Sequence, residues 1–140
     1  MLKGPLLHPQ LLAALAGAGH GSKVLLADGN YPFGSGAPAE AGRVYLNLAP
    51  GLVTVTDVLK VLAQAIPVEA AEVMVPAQGP EPPIFTEFRA VLGPALPLRP
   101  LGRFPFYEAA RGRDTVLVVA TGEQRIYANL LLTIGVVPPP

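Results

Sequence analysis

The chain has 140 residues, enough for one domain with a real core and too few for two. Its net charge is zero, which removes the electrostatic case for nucleic acid or an anionic membrane surface, and the absence of cysteine removes disulfides, thiolate catalysis and thiolate metal sites. Hydrophobic residues make up 51% and charged residues only 14%, so part of the surface is expected to be covered by other subunits.

Pro9 suits the first turn of a helix, Leu11, Leu12 and Leu15 follow at helical spacing, and Gly17 or Gly19 can end it. "LLAALAGAG" (11–19) is too short for a membrane span, and "HPQ" interrupts it, so neither a signal peptide nor a span is expected. His8 falls in the N-cap region of that helix. Lys23–Ala27 is an apolar run of the kind a strand buried on both faces shows. Residues 29–42, rich in Gly, Pro and Ser, form a loop whose Tyr31 and Phe33 have no obvious core to join.

Leu46–Leu48 reads as a short strand. Thr56 is a candidate N-cap for a helix with Val58, Leu59, Leu62 and Ile66 on one face, stopped by Pro67. Val68–Val75 is a strand. Pro82 and Pro83 start a helix with Ile84, Phe85, Phe88, Val91 and Leu92 on its apolar face. The segment 98–113 begins strand-like and turns helical near Pro105. "TVLVVATGE" (115–123) is a β-branched strand ended by Thr-Gly, and "YANLLLTIGV" (127–136) is a last strand. Strands alternating with helices point to a single α/β domain over 1–140. It should have three layers, with a mostly parallel or mixed sheet covered by helices.

His20, in "GAGHG", and Asp28, in "ADGN", bracket the first strand. Each has a plain structural alternative: a capping or surface histidine, and an Asx-turn carboxylate. Arg103 and Tyr107 lie in "GRFPFYE", where Arg103 could pair with a surface carboxylate and Tyr107 could be core. Tyr127 and Asn129, two apart in "YAN", would point the same way on a strand, as two hydroxyl-binding groups should. There is no P-loop, no dinucleotide fingerprint, no nucleophile elbow and no zinc-protease motif. Two histidines are too few for a His-rich metal site.

Four stretches carry a resemblance that runs nearly end to end: "MLKGPLLHPQLLAALAGAGHG", "DGNYP", "GRFPFYEAAR" and "TGEQRIYANLLLTIGVVP". They resemble the RbsD/FucU family of D-ribose pyranases and L-fucose mutarotases. "RFPFYE" and "GHG" are similar to the fucose type, since ribose pyranases usually carry histidine where Tyr107 stands. Ala128 occupies a position where fucose-type members often have glycine. The resemblance implies a cofactor-free sugar isomerase with the RbsD-like fold. It implies ring-like homo-oligomers, commonly decamers; with neither a signal peptide nor a span expected, a soluble cytoplasmic protein is the default. His20 matches the proton-transfer residue, and Asp28, Arg103, Tyr107 and the segment Tyr127, Ala128 and Asn129 match the sugar ligands. The chemistry agrees: changing an anomer moves one proton off the anomeric hydroxyl and one onto the ring oxygen. A histidine, which titrates near neutral pH, can serve as acid and base in turn.

One constraint follows from spacing alone. Eight extended residues from His20 to Asp28 would span roughly 26 Å, far longer than a monosaccharide. Either Gly19 and Gly21 fold the chain back, or a neighbouring chain completes the site. The shared site is the preferred expectation, with the "YAN" segment and the loop around Tyr31 and Phe33 as donors across the interface.

Overall fold

The computed structural model describes all residues, 1–140. The elements in chain order are α1 (Pro9–Gly17), β1 (Lys23–Ala27), β2 (Gly42–Tyr45), α2 (Val55–Leu62), β3 (Val68–Met74), α3 (Ile84–Leu92), β4 (Leu98–Leu101), α4 (Arg103–Ala110), β5 (Thr115–Ala120) and β6 (Leu130–Ile134). One sheet runs β2-β5-β1-β6-β3-β4. β1, β2 and β5 pair in parallel, as do β3 and β4, and β6 lies antiparallel between β1 and β3. The sheet is therefore mixed, and every strand except β6 runs the same way. The carboxyl ends of β1 to β5 and the amino end of β6 share one edge.

The apolar runs in β1, β5 and β6 are buried on both faces. Side chains alternate along each strand. Val24, Leu26, Leu130 and Leu132 meet Leu11 of α1, Leu59 and Leu62 of α2, and Phe85 and Phe88 of α3. Leu25, Ala27, Val118 and Leu131 meet Phe106 and Ala110 of α4 on the other face. The layers are thus α1–α3, sheet, and α4 with the loop that follows β1.

That loop is better built than its composition suggests. Tyr31 is buried in the second core beside Phe106, and its hydroxyl donates to Gly36 O at 2.7 Å, so it does have a core to join. Gly36 must be glycine, because a Cβ there would stand 2.3 Å from the Tyr31 ring. Arg43, on β2, spends its guanidinium on the carbonyls of Phe33, Gly34, Ala37, Pro38 and Ala41, at 2.7–3.3 Å. Its fork of donors replaces the ladder that 29–42 lacks.

Several boundaries move from their sequence positions. The strand expected at Leu46–Leu48 is Gly42–Tyr45: β5 ends at Ala120, so the ladder runs out there and Leu48 is exposed. The cap of α2 is Thr54, not Thr56. Thr54 Oγ1 accepts the Asp57 N–H at 3.1 Å while Asp57 accepts the Thr54 N–H at 3.0 Å, a reciprocal box. Helix α4 begins at Arg103, with Pro105 in the first turn, where N–H groups have no intrahelical partner anyway. Strand β6 begins at Leu130, because Tyr127 has φ 59° and cannot continue a strand. His8 caps α1 through Nδ1, which accepts the Leu11 N–H. No helix is long and apolar enough to cross a membrane.

Arg43→Ala should cost about 1.5–3 kcal/mol, the scale of hydrogen bonds to a charged group. The loss should concentrate in residues 33–41. Urea unfolding with limited proteolysis checks this: faster cleavage confined to that loop is the expected result.

Candidate functional site

The shared edge carries the polar groups. Asp28 leaves β1, Met74 ends β3, Arg103 and Tyr107 follow β4 on α4, and Tyr127 and Asn129 lead into β6. With Asn30, Tyr31 and Ile126 they line a cavity of about 240 Å³. Crevices beyond the carboxyl ends of parallel strands are where α/β sheets bind ligands.

Asp28 and Asn129 hold this edge together. The Asp28 N–H donates to Asn129 Oδ1 at 2.9 Å, and Asn129 Nδ2 donates to Asp28 Oδ2 at 3.1 Å. Asp28 Oδ1 also accepts the Asn30 N–H at 2.9 Å, so the Asx-turn reading and the site reading describe one carboxylate. Asp28 is 3% exposed. Burial raises its pKa above the ordinary carboxyl value, against the opposing hydrogen bonds from Asn30, Ala128, Asn129 and Tyr31. An added hydroxyl donor in the cavity would relieve that burial cost.

Tyr107 and Arg103 stand opposite. Arg103 pairs with no carboxylate; its guanidinium lies 5.8 Å from the Phe104 ring centre and 5.7 Å from that of Tyr107. Tyr107 is half-buried and meets the Tyr31 ring edge-on at 5.5 Å. Burial above all pushes the Tyr31 phenol well above its usual pKa, so it stays neutral. Tyr127 sits in the left-handed region, which a non-glycine residue occupies at a cost of about 1–2 kcal/mol. The expectation that Tyr127 and Asn129 project together from a strand is therefore corrected. They lie in the turn before β6, and the turn brings both to the cavity. Ala128, between them, is fully buried in the main core.

A clamp fixes this turn. Thr121 Oγ1 donates to Ala27 O at 2.7 Å, and the Gly29 N–H donates to Glu123 O at 2.9 Å. Gly122 lies so close to its neighbours that a Cβ would come within 2.2 Å of Leu52 O. Glu123 Oε1 accepts from Arg125 N and Nε at 3.0 and 2.9 Å, and Oε2 accepts from Arg125 Nη2 at 2.9 Å and from the Val55 N–H, at the start of α2, at 3.3 Å. Arg125 Nη1 donates to Glu87 at 2.6 Å, and Glu87 accepts from Thr56 Oγ1 at 2.7 Å. Burial alone would raise the Glu123 carboxyl, but the Arg125 and backbone hydrogen bonds outweigh it and hold the pKa low. The Thr56 and Arg125 hydrogen bonds lower that of Glu87. Sequence reading missed this network. "GEQR" looks like an ordinary charged turn, and only its place after the buried run Thr115–Ala120 hinted that the carboxylate would be enclosed.

His20 is not at this edge. β1 is extended throughout, about 3.3 Å per residue, so His20 lies beyond its opposite end. There the ring is largely exposed, with Nε2 3.0 Å from Glu69 Oε2. The glycines at 19 and 21 do not fold the chain back to the cavity. The division also differs from the one expected. Asp28, Tyr31, Tyr127 and Asn129 line one cavity in one chain, Phe33 and Ala128 do not reach it, and His20 stands apart.

These features define a single-domain α/β protein with a small polar pocket at the carboxyl edge of its sheet, built from a carboxylate, an amide, phenols and a guanidinium. The chain belongs to the RbsD / FucU transport protein family, whose model matches residues 1–137. It is 37% identical to a fucose mutarotase of Danio rerio, over 99% of this chain and 96% of that protein. Its structure is similar to the fucose mutarotase of Streptococcus pneumoniae solved in complex with L-fucose. The TM-score is 0.84 at 28% identity, covering 99% of this chain and 100% of that one. It also matches Bacillus subtilis RbsD complexed with D-ribose, with a TM-score of 0.81 at 27% identity, covering 99% and 100% of the two chains.

Arg125→Ala leaves Glu123 buried without its cation and should destabilise the fold by about 1–3 kcal/mol, less than a fully buried pair because Arg125 is half exposed. Glu123 and Glu87 have lowered folded pKa values. The stability they contribute is present above the ordinary carboxyl range and is lost as pH falls through the folded values. Denaturant midpoints measured across acidic pH should therefore fall less steeply in the variant than in the wild type.

Proposed function

We propose that the protein is a cofactor-free sugar mutarotase acting on L-fucose. The observation that carries the reading is the cavity: a buried carboxylate whose pKa burial raises, an amide, phenol hydroxyls and a guanidinium, converging in a chain whose relatives are named fucose mutarotases. A sugar presents hydroxyls that donate to Asp28 and accept from Asn129, Tyr107 and Arg103. Arg103 steadies negative charge as the anomeric hydroxyl gives up its proton. The ring then opens, the aldehyde turns about one bond, and closure on the other face gives the other anomer. Tyr107, in place of a histidine, favours the fucose reading over D-ribose pyranose–furanose exchange.

The proton shuttle in this reading is His20 of a neighbouring chain. Within one chain β1 separates His20 from the cavity, so a second copy must bring its sheet's opposite edge to this one. A ring-like homo-oligomer, with the decamer as the expected size, supplies that arrangement, and the exposed Leu7, Leu48, Leu52, Phe104 and Ile126 provide apolar surface for it. A cytoplasmic setting belongs to the same proposal.

His20→Ala should keep the fold and lose roughly 10²–10⁴-fold of the enzyme's contribution to anomer exchange, the usual scale of acid–base help. Saturation-transfer NMR on L-fucose and D-ribose reads it, and broadening for ribose alone would overturn the choice of sugar. Mixing His20→Ala with Asn129→Ala subunits should restore part of the activity, because some interfaces then carry both intact halves. Affinity should also depend on pH in one direction. Sugar hydroxyls donate to the ionised Asp28, so L-fucose binding should weaken as pH falls through the free protein's raised Asp28 pKa. Calorimetry at stepped pH checks the sign.

A further inference from the structure

Helix α4 sets one spacing that the cavity uses only in part. Arg103, Tyr107 and Arg111 are each four residues apart, and Arg111, just after the last residue of α4, still has helical backbone angles. Side chains at that spacing lie one above the other on a single helix face. The Tyr107 ring therefore has a guanidinium one turn before it and another one turn after it, each 5.7 Å from the ring centre. Both fall within the distance at which a cation is drawn to a ring face.

The two arginines differ in what else they meet. Arg103 lines the cavity, and Arg111 does not. Arg111 is exposed, and its Nε donates to Ser35 O at 3.1 Å, which fastens the end of α4 to the loop after β1. That anchor is itself held. Gly36 O accepts the Tyr31 hydroxyl at 2.7 Å, and Arg43 Nη2 donates to Gly34 O at 3.2 Å and to Ala37 O at 3.3 Å, on either side of Ser35. Tyr31 then returns to Tyr107, meeting its ring edge-on at 5.5 Å.

We infer that Arg111 is a positioning residue for Tyr107, holding the phenol ring from outside the cavity. This rests on the reading of Tyr107 as a ligand for a sugar hydroxyl. Arg111 touches no sugar in this account. A half-buried side chain on a helix has several staggered orientations open to it, and fixing one of them at the moment of binding costs entropy. The guanidinium, tied to Ser35, removes the alternatives before the sugar arrives, so the Tyr107 hydroxyl is already placed. The contribution is to binding, not to the proton transfers.

The test uses the full-length protein in its native assembly, with its four tyrosines replaced by fluorotyrosine. Tyr107→Phe identifies the Tyr107 signal in ¹⁹F NMR. Without sugar, Arg111→Ala should move and broaden that signal, because the ring loses its neighbouring charge and samples other orientations. The same variant should raise KM for L-fucose exchange roughly two- to fivefold, the scale of one cation–π contact at an exposed site, with kcat little changed. In a Tyr107→Phe background, which lacks the hydroxyl, Arg111→Ala should raise KM no further. Additive losses would mean that Arg111 acts by a route other than Tyr107, and they overturn the inference, as does an unmoved signal or an unchanged KM in Arg111→Ala. The underlying reading is judged separately: an unchanged KM in Tyr107→Phe ends the role of Tyr107 as a ligand and the inference with it. A raised KM there, beside an unmoved Tyr107 signal in Arg111→Ala, ends the inference alone.

Discussion

The double hydrogen bond between Asp28 and Asn129 is the contact on which the site depends. Its two partners come from segments 101 residues apart, one leaving β1 and the other entering β6. They meet because β6 runs against its neighbours, so its amino end lies beside the carboxyl end of β1. A sheet with β6 parallel would put Asn129 at the far edge. The same pairing satisfies a backbone N–H that the sheet edge would otherwise leave open, and it leaves Asp28 buried with capacity to accept more. On the proposed reading, structure and binding chemistry thus draw on one carboxylate.

Everything around that pair limits its motion. Thr121 and Glu123 tie the following turn back to β1, and Arg125 ties it to α2 and α3 through Glu123, Glu87 and Thr56. The left-handed Tyr127 is affordable only because both of its flanks are fixed in this way. At the opposite edge stands an exposed imidazole, with Glu69 beside it. On the proposed reading each chain therefore carries two half-sites at opposite ends of one sheet, which no single copy can join. The shortage of surface charge fits a protein that seldom exposes those ends alone.

Much of the fold was legible because burial on both faces leaves an unmistakable mark. Lys23–Ala27 fell on its strand to the residue, and Thr115–Ala120 began where the β-branched run begins. Errors fell where two local signals compete. Thr54 and Thr56 both suit an N-cap, and the reciprocal box with Asp57 decided for Thr54. "YAN" looked like strand because apolar residues follow it, yet Tyr127 turns the chain. Tyr31 looked stranded in a loop because its partners, Phe106 and Ala110, lie some 75 residues on. The site was half legible. The spacing of His20 and Asp28 showed that an extended chain could not bring both to one small ligand. Glu69 and Glu123 stayed hidden, since a contact made 49 residues along the chain and an enclosed turn leave no periodic signal.

The central claim is that one chain's carboxyl-edge cavity is completed by the His20 of another. A structure of the native assembly with L-fucose bound tests it most directly. The account predicts a sugar held by Asp28, Tyr107 and Asn129 of one chain, with a neighbour's His20 ring within hydrogen-bond reach of the anomeric or ring oxygen. A sugar whose every contact comes from a single chain, or a His20 that faces solvent in the assembly, would contradict it.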